Sequence, residues 1–242
     1  MQILLGCLNW LSLSTRPDIS TISNILAKYT AHPSKGHLAH AKYVIKYLKG
    51  TKSKGILFTT QPSTDIESFV KFPLPPSQIT SLCDANWGPQ DQSRPHPSKP
   101  LPEFDLFKSR SLSGYLIWLG RPIHWCSKRQ KITARSSAES EIYATDECTK
   151  ALLQLSHIIH GFSLSCELMK GPTPIYNDNA ACVCWSKNTT TKGLRHIQIR
   201  ENAIRESVIN KFVDVRHSEG KRNLSDMFTK EDRDAAHYII IR

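Results

Sequence analysis

Apolar positions recur every three or four residues through the first fifty residues and every second residue through much of the middle of the chain. From Pro33 to Gly50, Leu38, Ala41, Ile45 and Leu48 share one helical face, Lys35, Lys42, Lys46 and Lys49 line another, and Gly50 suits a C-terminal cap. Met1 to Leu13 (MQILLGCLNWLSL) lacks the basic start and small-residue cleavage pattern of a signal peptide, so it reads as a core segment. A strand is predicted over 55–60, a Pro-rich linker over 61–78, and a further strand over 78–84. Residues 89–110 hold five prolines and read as an irregular inserted loop. Leu112–Leu119 and Pro122–Ser127 form a predicted strand pair turning at Gly120-Arg121. After these come a long helix over about 137–162, a strand over 174–178, helices over 179–187 and 196–210, a strand over 212–216 and a last helix from Leu224. The order β-β-β-α-β-α-α-β-α predicts an α/β sandwich with a mixed sheet.

Charge changes this picture at one end. The chain carries 32 Lys+Arg against 21 Asp+Glu, a net charge of +11, which favours an anionic partner. Within residues 1–60, eight basic residues face the single acid Asp18, so seven of those eleven charges lie there. The lysine face over 35–49 is either a solvated surface or a stripe that follows a nucleic-acid backbone. Seven cysteines, scattered with no C-x-x-C, form neither a disulfide framework nor a zinc knuckle and fit a reducing compartment. No apolar run reaches membrane-spanning length.

Two glutamates open the long helix in RSSAESEIYATDEC (135–148). Ser136 followed three residues later by Glu139 is a capping box, which gives Glu139 a structural task. The apolar stripe through Ala138, Cys148, Leu152, Leu155, Ile159 and Phe162 also contains positions 141 and 145, so Glu141 is directed at the sheet and Glu139 away from it. A carboxylate on a packed face must be protonated, ion-paired or metal-bound. Three other acids hold comparable places: Asp84 ending the first strand in CDANWG, Asp178 ending the fourth in YNDNA, and Asp226 opening the final helix in NLSDMFTK. Taken singly, Asp84 reads as a turn residue and Asp178 and Asp226 as helix N-caps. Taken together, the four converge at one end of the sheet, where their repulsion calls for divalent cations.

These motifs, in this order, resemble the ribonuclease H domain and preceding connection segment of the Pol polyprotein of copia-type LTR retrotransposons. CDANWG resembles the family's first-aspartate strand, SLSGYLIWLGRPIHWCSKRQ its hairpin, ARSSAESEIYA its S-S-x-E-x-E-Y-x-A helix start, and YNDNAA its D-N-x-A turn. GLRHIQIRENAIRE resembles the K-H-I-D-I-R helix, and LSDMFTK the terminal A-D-I-F-T-K. LLGCLNWLSLSTRPDIS and HLAHAKYVIKYLKGT resemble the connection segment. The resemblance implies a ribonuclease H-like three-layer fold with a five-stranded mixed sheet over 79–242, a helical connection segment over 1–60 and a linker over 61–78.

It also implies a catalytic and metal-binding tetrad of Asp84, Glu141, Asp178 and Asp226. Two Mg²⁺ ions about 3.5–4 Å apart, with Mn²⁺ as a substitute, would bridge the scissile phosphate of the RNA strand of an RNA:DNA hybrid. His217 corresponds either to a proton-transfer histidine of related enzymes or to a surface histidine. Arg195, His196, Arg200 and Arg205, with Lys42, Lys46 and Lys49, are candidate backbone contacts. Asn202 stands where the family commonly has histidine. Polymerase fingers and palm have no counterpart, so polymerisation is not expected; the implied partner is the reverse transcriptase domain of a longer polyprotein. The family implies a cytoplasmic particle, whose complementary DNA travels to the nucleus. The alternative is a catalytically inactive, nucleic-acid-binding remnant.

Overall fold

A computed structural model of the chain describes residues 1–56, 58, 68–71, 74–75, 77–88, 110–162, 168–187 and 195–230, the side chains of 195–198 excepted. Residues 89–109 of the insertion predicted over 89–110, most of the predicted linker and the end of the chain beyond Lys230 lie outside the described residues.

Five strands form one sheet: β1 (Thr80–Asn86), β2 (Leu112–Leu119), β3 (Arg121–Arg129), β4 (Thr173–Asn177) and β5 (Val213–His217), in the order β3-β2-β1-β4-β5. β1, β2 and β3 run antiparallel as a meander, while β4 pairs parallel to β1 and β5 parallel to β4. The β2–β3 turn closes on Gly120, whose φ of +65° lies in the left-handed region that favours glycine. After the meander come, among the described residues, the helices α4 (Ser137–Gly161), α5 (Ala180–Lys187) and α6 (Arg195–Ile209). Ahead of it stand α1 (Gln2–Ser14), α2 (Ser20–Ala27) and α3 (Lys35–Gly50).

Both faces of the sheet are covered, and the side chains alternate between them as the pleat requires. Ile79, Cys83, Tyr115, Ile117 and Ile175 pack against Cys148, Ala151, Leu152 and Ile159 of α4. Leu82, Leu116, Trp118, Trp125 and Tyr176 pack on the other face against Leu224, Met227 and Phe228 of a 3-10 turn, Leu224–Phe228. That turn stands where a helix was expected, and Asn223 caps it by accepting from the Ser225 N–H. Val70 and Leu74, within the expected linker, are buried in this same core, so the described part of 61–78 is packed rather than a free tether.

The amino-terminal helices have their own core of Leu5, Leu8, Ile19, Leu26, Ala41 and Val44. Val44 is buried in α3, while Leu38 and Ile45 are 36% and 42% exposed, so the buried stripe is rotated from the expected one: Ala41, Val44, Tyr47 and Leu48 meet the core of α1 and α2. The helix runs through Gly50 and is capped at Thr51, and the described residues of 55–60 form no strand. This unit docks on the sheet's outer strand through polar contacts. Trp125 Nε1 donates to the Ser12 carbonyl (2.6 Å), Asn24 to the Ser127 carbonyl (2.5 Å), and the Thr21 hydroxyl to the Met227 carbonyl.

Candidate metal centre

Asp84, Glu141 and Asp178 each bring one carboxylate oxygen within 4.8 Å of the other two. Each arrives from a different element. Asp84 lies inside β1, on the same face as Leu82, and not in a turn. Asp178 follows β4, and the cap of α5 is the next residue, Asn179, whose Oδ1 accepts from the Cys182 N–H at 3.1 Å. Glu141 lies one turn into α4 and reaches across to the end of β1, where its Oε1 accepts from the Ala85 N–H at 3.1 Å.

Glu139 does not reach this cluster. Ser136 Oγ accepts from the Glu139 N–H at 3.1 Å, and Glu139 Oε2 accepts from the Arg135 N–H at 2.6 Å, one residue earlier than a standard capping box. Glu139 is nonetheless buried, because its carboxylate folds back over the helix start. Phe162, expected on the packed stripe, is 72% exposed.

Several residues that sequence reasoning missed hold these acids in place. Asn177, fully buried, donates to Glu141 Oε2 at 3.0 Å and accepts from the Asn179 N–H at 2.7 Å, which ties the helix carboxylate to the strand end that presents Asp178. The Thr229 hydroxyl donates to Asp84 Oδ2. Lys230 Nζ lies 2.8 Å from Asp226 Oδ1 and 3.5 Å from Asp84 Oδ1, so an ammonium links the fourth acid to the first. Asp226 itself is fully buried and falls outside the tight group of three. Two glycines make room. A Cβ at Gly114, opposite Asp84 in the ladder, would meet Phe228 Cβ at 2.7 Å and Thr229 Cγ2 at 2.8 Å. A Cβ at Gly220 would stand 2.8 Å from Asp178 Oδ2.

Burial, followed by the charges of Asp84 and Asp178, pushes the Glu141 carboxyl well above its ordinary range, although the bonds from Asn177 and Ala85 oppose this. Asp178 is raised by burial and by Asp84, with Lys230 and His217 acting the other way. Three hard oxygen donors crowded until one prefers its proton form a donor set that fits a divalent cation such as Mg²⁺ or Mn²⁺.

The remaining candidates divide. His217 is exposed beside the cluster, its Nε2 3.2 Å from the Asp178 carbonyl oxygen. Lys42, Lys46 and Lys49 are exposed on α3. Arg205 is buried and bound to the Trp185 carbonyl (2.8 Å), Asn202 and Glu201, so it is a packing residue rather than an open phosphate contact. Arg200 lies over the Tyr143 ring at 4.0 Å and pairs with Asp146, which likewise occupies its charge internally. The side chains of Arg195 and His196 lie outside the described residues. Trp125 is core, and Trp87, half exposed, donates to the Ala134 carbonyl at 3.0 Å. A cavity of about 220 Å³ between β3 and α4 is lined by Lys128, Lys150, Arg200 and Glu147 but by none of the four acids. Among the described residues no helix is long and apolar enough to cross a membrane.

Strand order, the helices on one face and the acid-bearing strand ends define an α/β protein of ribonuclease H-like architecture with a buried cluster of acids that could hold a metal ion. Its homologues are copia-type Pol polyproteins of plants and yeast, matched over more than nine-tenths of the chain. With the Pol polyprotein from transposon RE1 of Arabidopsis thaliana it is 27% identical over 230 residues, 94% of this chain and 13% of that polyprotein. The chain thus spans about an eighth of the length of such relatives. Secreted RxLR effector protein 161 of Plasmopara viticola is 28% identical over 152 residues, 62% of this chain and 87% of that one. Among solved structures, LC11-RNase H1 in complex with an RNA/DNA hybrid overlaps 65% of this chain and 98% of its own, at a TM-score of 0.42 and 14% identity. The architecture rests on the strand order β3-β2-β1-β4-β5. No family model matches the chain.

Proposed function

We propose that the chain is a ribonuclease H-type phosphodiester hydrolase that cuts the RNA strand of RNA:DNA hybrids with Mg²⁺ or Mn²⁺. The observation that carries this reading is the trio Asp84, Glu141 and Asp178, joined within 4.8 Å from three separate elements. Homology to retrotransposon Pol polyproteins supports it, since their replication runs through such hybrids. Divalent cations bound at these acids would activate water and offset the charge that develops on a phosphodiester.

Each residue then has a task. Asp84 and Asp178 supply oxygens from neighbouring parallel strands, and Glu141 supplies one from the helix. Asn177 orients the Glu141 carboxylate by its 3.0 Å bond. Asp226 joins as the fourth acid, held to Asp84 by Lys230, whose ammonium would turn outward as cations enter. His217 stands at the rim, where an imidazole can hold or pass a proton. The basic face of α3 would draw the polyanion towards this end of the molecule. Residues 1–60 serve as a connection segment docked on the ribonuclease H-like unit of 79–242. In the family setting the hybrid is shared with a reverse transcriptase domain, inside a cytoplasmic particle and later the nucleus.

One observation favours a second reading, a folded nucleic-acid-binding remnant without turnover. The Plasmopara relative, named as a secreted effector, is matched over 87% of its own length. The test is hydrolysis of a hybrid labelled on each strand, in Mg²⁺ and in Mn²⁺, beside Asp178→Asn and a double-stranded DNA control. Metal-dependent cutting of the RNA strand alone, lost in the variant, is expected. Binding of the hybrid without cutting in either metal would leave the second reading.

A further inference from the structure

The least satisfied charge in the described structure is not an acid. Nε and Nη2 of Arg129 are shielded from solvent and make no hydrogen bond among the described residues. Among the described residues the charged neighbour that acts on this guanidinium is another cation: burial and Arg110 lower its pKa, and Tyr29 acts the other way. A half-buried guanidinium set beside a second one, with donors lacking acceptors, costs free energy that a bound anion would recover.

Its place in the fold indicates which anion. Arg129 ends β3 opposite Leu112, and Leu112 lies opposite Asn86, two residues beyond Asp84. Two residues before it, Ser127 donates to the Phe228 carbonyl at 2.6 Å, so by strand alternation Arg129 shares the face of the turn that carries Asp226 and leads to Thr229 and Lys230. Tyr29 also acts on the guanidinium, and the Tyr29 ring stacks on His37 at 3.8 Å. His37 sits in the first turn of α3, which carries the exposed Lys42, Lys46 and Lys49. Arg129 therefore shares a sheet face with the turn that carries Asp226 and is within the electrostatic reach of Tyr29, which stacks on the start of α3.

We propose that Arg129, with Arg110 beside it, binds a phosphodiester and carries the nucleic-acid backbone from the acidic cluster towards α3. This rests on the hybrid reading above for its ligand, though not for its chemistry. A guanidinium suits the role because its fork of donors meets phosphate oxygens in pairs.

The experiment uses the whole chain in EDTA, where nothing is cut. It measures equilibrium binding of an RNA:DNA hybrid over a salt series, and melting temperature with and without inorganic sulfate, for the wild type, Arg129→Gln and Arg129→Lys. Arg129→Gln is expected to weaken hybrid binding roughly tenfold or more at low salt and to reduce the slope of log affinity against log salt by about one. Its ion-free melting temperature should be no lower than that of the wild type, because a desolvated charge has been removed. Arg129→Lys should keep the slope but not the full affinity. Sulfate should raise the melting temperature of the wild type more than that of Arg129→Gln. If Arg129→Gln binds as the wild type does with an unchanged slope, or melts several degrees lower with binding intact, Arg129 is a packing residue and the proposal fails. A wild type that binds no hybrid, yet gains an Arg129-dependent stabilisation from sulfate, would keep the anion site and overturn the hybrid reading instead.

Discussion

Glu141 and Glu139 lie two residues apart on one helix and have opposite fates, because 200° of helical rotation sends one to the strand ends and the other back over its own N-terminus. Periodicity separates them, so the choice between the two was legible in the sequence. Asn177 was not, since nothing local marks an asparagine that bonds a glutamate 36 positions away. Asn177→Ala is expected to leave Glu141 free to rotate and to weaken divalent-cation binding by about 10–100-fold; calorimetric titration with Mn²⁺ checks this. Burial and like charge give both Glu141 and Asp178 raised pKa values, which sets a sign. Each group retains a proton in the folded chain at pH values where the unfolded chain, titrating at about 4, has lost it. The cation-free protein should therefore lose this contribution as pH rises from about 4 through the raised values. The melting temperature of Glu141→Gln minus that of the wild type should grow over the same range and shrink again in saturating Mn²⁺. A difference that falls with pH would contradict the assignment.

At the scale of elements, the strands, the long helix and their order were all legible, because period-2 and period-3.6 patterns survive wherever one face is packed. The last helix was misread: LSDMF has a helical composition, but its ends are tied down by Asn223, which donates to the Cys83 carbonyl at 2.8 Å, and by Thr229 on Asp84, and this short span closes as a 3-10 turn. The buried line on α3 was misplaced because Leu38 and Val44 are equally apolar, and only the position of α1 and α2 decides between them. Gly114 is the hinge of this level. It sits mid-strand, where glycine is unfavourable, so that the 3-10 turn can press against β2 and bring Thr229 to Asp84. Gly114→Ala should destabilise the chain by about 1–3 kcal/mol, read by chemical denaturation, and weaken cation binding with it. Ser136→Ala removes the cap of α4 and should cost about 1 kcal/mol with far less effect on cation binding.

Across the whole molecule, the amino-terminal helices and the sheet-bearing unit meet through buried backbone carbonyls rather than a broad apolar face, and sequence patterns do not report such contacts. Ser12 and Met227 accept bonds from residues 113 and 206 positions away. These bonds couple the amino-terminal helices to the sheet-bearing unit. The wild type should unfold in a single transition, while Trp125→Phe, which leaves the Ser12 carbonyl bonded by the Ser20 hydroxyl alone, should cost about 1 kcal/mol and separate the unfolding of the two parts. Net charge is divided in the same way, with exposed lysines on α3 and the acids at the strand ends. The central claim, that Asp84, Glu141 and Asp178 form a divalent-cation centre, is tested most directly by titrating Mn²⁺ into the wild type, Glu141→Gln and Glu139→Gln. The account predicts saturable binding that Glu141→Gln abolishes and Glu139→Gln retains at lowered stability. Equal binding by all three proteins, or loss only in Glu139→Gln, would contradict it.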